Sequence, residues 1–135
     1  MRSRNILGLA ELELILAATR TQAEQQGWAV SISVVDEGGH PLALLRLDGA
    51  SPISAYIAGE KARTAALGRR ESKGYEDMVN GGRTAFLSAP LLTSLEGGVP
   101  IVVGGEVIGA VGVSGVKAEQ DAQVARAGVG AVVAG

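Results

Sequence analysis

The chain has 135 residues, a length typical of one compact domain, and 47% of them are hydrophobic, which is enough to build a core. A formal charge of −2 provides no excess of cations for a nucleic-acid backbone, and an aromatic content of 3% provides few surfaces on which bases could stack. The absence of cysteine excludes disulfides and thiolate chemistry, and we expect one domain over residues 1–135 with no nucleic-acid partner.

The N-terminal segment superficially resembles a signal peptide, because two arginines precede an apolar run. Glu11 and Glu13 interrupt that run early, and no small-residue cleavage site follows it. Nothing in the sequence approaches the ~18 uninterrupted apolar residues of a membrane span. We therefore expect a cytoplasmic protein without a membrane partner.

Hydrophobic spacing predicts the first three elements. Residues 8–26 follow a helical pattern that ends at Gly27. The segment "WAVSISVV" is rich in β-branched residues and predicts a strand, "DEGGHP" has the composition of a turn, and "LALLRLD" predicts the returning strand of a hairpin.

The second half of the chain predicts two further helices and another hairpin. A helix is expected from Pro52, with Ser51 as its cap, to Gly68, because proline is favoured at the first helical position. Residues 68–83 are polar and punctuated by glycine, which indicates a loop with a short helical piece. Residues 97–115 predict two strands around a Gly-Gly turn, and residues 117–133 predict a closing helix.

This order favours an α+β domain with an antiparallel sheet, because the strands of each pair are joined by connections too short for a parallel crossover. The strand at residues 40–48 carries leucines on both faces, whereas a sheet wetted on one side should alternate more cleanly. Another part of the assembly must cover the second face, and we favour a homo-oligomer.

His40 is the only histidine in the chain. An imidazole can bind iron, act as a base or cap a turn, and a protein-only zinc site cannot be assembled from one histidine without cysteine. The spacing leaves a structural role at least as favoured as a functional one.

Lys61 lies at the edge of an alanine-rich helix face, with Thr64 one turn further along. It could bind a carboxylate, or its stem could cover the alanines while its ammonium reaches solvent.

Glycine pairs occur four times but match neither the Walker spacing nor the dinucleotide fingerprint. Tight turns explain the pairs at 38–39 and 104–105, and the pair Gly97–Gly98 could direct backbone amides toward a pocket. Gly109 and Gly112 lie inside a predicted strand, where close approach by a ligand and packing against a helix are equally good explanations.

Four stretches in order resemble the GlcG/HbpS family of small haem-associated domains and the C-terminal part of PduO-type adenosyltransferases. They are "VSISVVDEGGHPLALLRLDGA", "SAYIAGEKARTAA", "GGVPIVVGGEVIGAVGVSG" and "AEQDAQVARAG". The resemblance implies a profilin-like α-β-α domain with a roughly five-stranded antiparallel sheet flanked by helices. It also implies assembly into oligomers that include octamers, haem binding for some members, and a link to glycolate or diol metabolism for others.

The resemblance also implies a site, formed by His40 of the "D-x-G-G-H" turn, Lys61 and Thr64 of "K-A-x-T-A", and Gly97 and Gly98 of "G-G-V-P". We predict a haem- or tetrapyrrole-binding protein in which His40 is the iron ligand or an iron-side contact. Lys61 and Arg46 would bind the propionates, and Thr64 would lie near the metal. The alternative is an enzyme or accessory subunit that binds a small carboxylic or hydroxy acid, with Lys61 on the carboxylate and His40 as acid or base.

Overall fold

Nine elements follow one another along the chain in the computed structural model, which describes residues 1–133. The helices are α1 (Leu9–Gln26), α2 (Pro52–Gly68), α3 (Lys73–Asn80) and α4 (Ala118–Gly130), and a 3-10 helical turn spans Thr84–Ser88. The strands are β1 (Ser31–Asp36), β2 (Pro41–Arg46), β3 (Gly98–Val103) and β4 (Glu106–Ser114). The predicted helices and both predicted hairpins are confirmed, including the start of α2 at Pro52, although α4 ends at Gly130 and not at residue 133.

The four strands form one antiparallel sheet in the order β2-β1-β4-β3. The roughly five strands that the resemblance implied are wrong for the described residues, which form the four strands of the two predicted hairpins. The segment between α3 and β3 contains no strand. Pro90 has no N–H to donate to a ladder, and Leu91 has a left-handed backbone with φ 61°. A regular strand therefore cannot run through these two positions.

Helices cover both faces of the sheet, which gives the expected α-β-α layering. Helix α2 packs on one face, and α1 and α4 pack on the other. The α1/α4 side contains the larger aliphatic core, which includes Ile15, Ile32, Val111 and Val124. Among residues 1–133, no helix combines the length and the apolarity needed to cross a bilayer.

Helix α2 lies unusually close to the sheet because glycines face it. A Cβ on Gly112 would lie 2.2 Å from the carbonyl oxygen of Ala58, and one on Gly98 would lie 2.1 Å from that of Lys61. Of the two explanations for Gly112, packing against a helix is therefore sufficient, and close approach by a ligand is not needed. Gly109 does not face α2, but a side chain is excluded there too, because a Cβ would lie 2.5 Å from the carbonyl oxygen of Val35 in β1.

Candidate functional site

The turn between β1 and β2 presents His40 to solvent. The carboxylate of Asp36 accepts hydrogen bonds from the backbone N–H groups of Gly38 (2.9 Å) and His40 (3.0 Å), and it lies 3.0 Å from Nδ1 of the imidazole. The His40 side chain is 76% exposed. Asp36 therefore fixes both the turn and the orientation of the ring.

The charge of Asp36 determines which ring nitrogen of His40 is free. Burial raises the pKa of Asp36, but the N–H groups of His40 and Gly38, together with the imidazole, outweigh burial and hold that pKa below its usual value. An ionised carboxylate only accepts hydrogen bonds, so Nδ1 of His40 must carry the proton. In the neutral ring Nε2 then has a free lone pair, the arrangement found in metal-binding histidines.

Helix α2 contacts this turn through its C-terminal half. A Cβ on Gly39 would lie 2.8 Å from Cγ of Arg63 and 3.5 Å from Cγ of Leu67. The Arg63 stem thus lies against the residue that precedes His40. Its Nη2 donates to Oε2 of Glu60 at 2.5 Å.

Exposed apolar side chains continue from the turn along β2. Leu42 is 37% exposed and Leu44 is 57% exposed. Leu44 pairs with Ser33 of β1, and Ser33 lies beneath Gly59 of α2, so Leu44 is on the α2 side of the sheet. An apolar surface that the chain does not cover therefore adjoins the turn.

The structure does not bring Lys61 to His40. The Lys61 side chain is 5% exposed, and its Nζ donates to Oδ2 of Asp121 and to the carbonyl oxygen of Val113, both at 3.0 Å. Val113 pairs with Ile32, whereas Asp36 pairs with Gly109, four residues or roughly 13 Å away along the strands. The Lys61 ammonium therefore points into the interior and faces no cleft shared with the imidazole.

The remaining α2 and loop residues of the implied site lie near Lys61. Thr64 is fully buried; its hydroxyl donates to the Glu60 carbonyl oxygen and accepts from the N–H of Thr93. Gly97 has φ 135°, and a Cβ there would lie 2.8 Å from Nζ of Lys61. The N–H of Gly98 donates to the hydroxyl of Ser72. These contacts fasten α2 and α3 to β3.

Arg46 lies at the opposite end of β2 from the turn, roughly 20 Å along the strand from His40. It pairs with Ser31 and so is on the α2 side, like Leu44. Its side chain makes no hydrogen bond or ion pair within residues 1–133. It also lines a cleft of about 460 Å³ together with Arg20, Trp28 and Asp48.

Sequence reasoning missed Asp36, Arg63 and Glu60 as members of the site. Asp36 carried a usable signal, because an aspartate before Gly-Gly commonly accepts hydrogen bonds from the following turn. Arg63 and Glu60 carried none, since their position beside the turn follows from how α2 packs.

Comparison with known proteins gives a consistent result. Residues 7–130 match the family model described as haem degrading protein HbpS-like. Protein GlcG of Escherichia coli K12 is 63% identical over 114 residues, which cover 84% of this chain and 85% of that protein.

Solved structures agree with the family match. A double mutant of Streptomyces reticuli HbpS superimposes with a TM-score of 0.88 and 30% identity, covering 98% of this chain and 91% of the other. A PduOC complex with haem superimposes with a TM-score of 0.86 and 27% identity, covering 97% and 98%. The resemblance seen in the sequence is confirmed, and the chain belongs to the HbpS-like family of haem-degrading proteins.

Proposed function

We propose that this chain binds haem through His40. The observation that carries the proposal is the exposed imidazole, whose Nδ1 is held by Asp36 and whose Nε2 has no partner within residues 1–133. A single histidine suffices as an axial ligand of haem iron. The hydrogen bond to a carboxylate fixes the tautomer and the ring orientation of such a ligand.

The surroundings of His40 fit a large, flat and mostly apolar group that carries carboxylates. Leu42 and Leu44 offer apolar surface beside the turn. Arg46 lies on the same face as Leu44 but at the far end of β2, and we propose that it meets a propionate extending from the turn along this strand. Polar groups of the other implied site residues are engaged within the chain, and we propose that these residues act by holding α2 in place. They are Lys61, Thr64, Gly97 and Gly98.

Haem, when bound, would supply the redox and ligand-exchange chemistry of its iron. The residues of this chain would bind the iron through Nε2 of His40, keep the ring oriented through Asp36, and exclude water from one face of the macrocycle with the leucines of β2. The turn therefore provides a binding surface with a fixed imidazole.

Titration with haemin tests the proposal directly. We expect a saturable shift of the Soret band for the wild type and its loss for His40→Ala, because no other imidazole exists in the chain. Free imidazole added to His40→Ala should restore part of the axial-ligand spectrum. Asp36→Asn keeps the imidazole but weakens the hydrogen bond that holds its Nδ1, and we expect about a 10- to 100-fold loss of haemin affinity.

The controls of this titration separate ligation from folding. Circular dichroism should show native helix content for both variants, because His40 lies on an exposed turn. A wild type without a saturable shift would contradict haem binding. A His40→Ala variant with an unchanged spectrum would assign the iron to another residue.

A second candidate is the binding of a small carboxylic or hydroxy acid at the same turn, as an enzyme or an accessory subunit. The contact between Asp36 and His40 favours it, because a carboxylate-oriented imidazole can take up and release a proton. Arg63 is the nearby cation, since Lys61 is bound to Asp121. Thermal stabilisation by small acids and not by haemin would favour this candidate over the first.

We also propose that the chain forms a homo-oligomer through exposed apolar residues of α2. Ile53 is 63% exposed and Tyr56 is 80% exposed on neighbouring positions of that helix. We expect light scattering to give a multiple of the chain mass, and the double substitution Ile53→Lys and Tyr56→Asp to reduce it. Gln123→Lys, on the exposed side of α4, is the matched control. A monomeric wild type would disprove the proposal.

A further inference from the structure

The Arg63 side chain connects the His40 turn to the loop that follows the 3-10 helical turn. Its stem lies against Gly39, and its Nη2 is bound to Glu60. The same Oε2 of Glu60 accepts a hydrogen bond from the hydroxyl of Thr93 at 3.2 Å. Arg63 therefore lies where the edge of α2, the turn and this loop meet.

The hydrogen bonds of Arg63 are incomplete. Its Nε is buried and has no hydrogen-bond partner within residues 1–133. The hydroxyl of Ser94, next to Thr93, is also buried without a partner among these residues. A buried donor without a partner is rare in native structures and calls for an explanation. Glu60 contacts one nitrogen of the guanidinium, whereas the fork of donors on arginine is shaped for two parallel hydrogen bonds to a single carboxylate.

We propose that Arg63 binds a ligand carboxylate beside His40, and that Glu60 occupies the Arg63 guanidinium when no ligand is present. A ligand carboxylate would displace Glu60 and bind Nε and Nη2 together, after the side chain turns outward from α2. The guanidinium can do so because its side chain is 32% exposed and that of Glu60 is 42% exposed. The carboxylate comes from a haem propionate if the proposed function holds, or from a free small acid if the second candidate holds.

The proposal predicts opposite effects for two neighbouring substitutions. Arg63→Lys keeps the charge but loses the fork, and we expect about a 10-fold or greater loss of haemin affinity. Glu60→Gln removes the competing charge while keeping the shape and the contact with Thr93, and we expect tighter binding. Iron protoporphyrin dimethyl ester lacks free carboxylates, so its affinity should be weaker than that of haemin in the wild type and insensitive to Arg63→Lys.

A direct measurement of Arg63 makes the test independent of haem binding. The ¹⁵N–¹H signal of its Nε, identified by its absence from Arg63→Lys, should shift when propionate is added to the wild-type protein. A shift with propionate, without any haemin binding, would support the carboxylate site and reject the haem proposal. An unmoved Nε signal, together with unchanged discrimination between haemin and its ester in Arg63→Lys, would overturn the inference while leaving iron ligation by His40 intact.

Discussion

Lys61→Met is expected to lower the free energy of unfolding by about 3–5 kcal/mol, because it leaves the carboxylate of Asp121 buried without its cation. The two side chains are 5% and 3% exposed. Asp121 keeps a hydrogen bond from the N–H of Val116, which does not replace the lost charge. Urea unfolding at neutral pH measures the effect.

The pH dependence of this variant has a defined sign. Burial raises the pKa of Asp121 above its usual value, and Lys61 opposes that effect. Without Lys61 the folded chain binds a proton at still higher pH than the unfolded chain does, so stability is lost as pH rises through the folded-state pKa. The deficit of Lys61→Met should therefore shrink as the pH is lowered from neutral.

Lys73→Met is the matched control, because Lys73 forms an ion pair of the same kind with Asp77 at 2.7 Å on the exposed face of α3. Exposed pairs contribute about 0–1 kcal/mol. The double substitution Lys61→Met and Asp121→Leu should recover much of the loss, since it removes both buried charges. Equal costs for Lys61→Met and Lys73→Met would contradict a structural role for the buried pair.

Gly112→Ala is expected to destabilise the fold by about 3 kcal/mol or more, because the new methyl group would overlap backbone atoms of α2. Its Cβ would lie 2.2 Å from the carbonyl oxygen of Ala58 and 2.5 Å from the nitrogen of Ala62. Neither atom can move without shifting the whole helix away from the sheet. Thermal and urea unfolding measure the loss.

Gly59→Ala lies in the same helix–sheet interface and should have the opposite effect. The nearest atom to a Cβ there is the Ser33 hydroxyl oxygen at 3.9 Å, an ordinary van der Waals distance. Alanine also restricts the unfolded chain and favours the helix, which stabilises by about 0.4–1 kcal/mol. If both substitutions changed stability equally, close contact between α2 and β4 would not be the reason for Gly112.

Lys61 and Gly112 belong to the scaffold that positions the candidate site. Helix α2 carries Arg63 to the His40 turn. The position of α2 depends on the buried ion pair between Lys61 and Asp121 and on the absence of a side chain at Gly112. A substitution at either position that leaves the chain folded should therefore be checked for its effect on ligand binding.

The elements of the fold were predictable because each is encoded over a short stretch. The hydrophobic periodicity and the flanking proline and glycine residues predicted α2 from Pro52 to Gly68. The same signals predicted the hairpin around the glycine pair at 104–105. The two hairpins predicted from the residues account for all four strands of the described sheet, and the fifth strand implied by the resemblance does not form there.

The sequence by itself determined the α+β class, the antiparallel hairpins and the single imidazole on a turn next to Asp36, because these depend on residues close together in the chain. Only the tertiary structure decided that Lys61 binds Asp121, sixty residues away, and that Arg63 lies against Gly39. Helical spacing shows which residues share a face of α2. It does not show which distant strand or helix that face will meet, because that depends on how the elements pack.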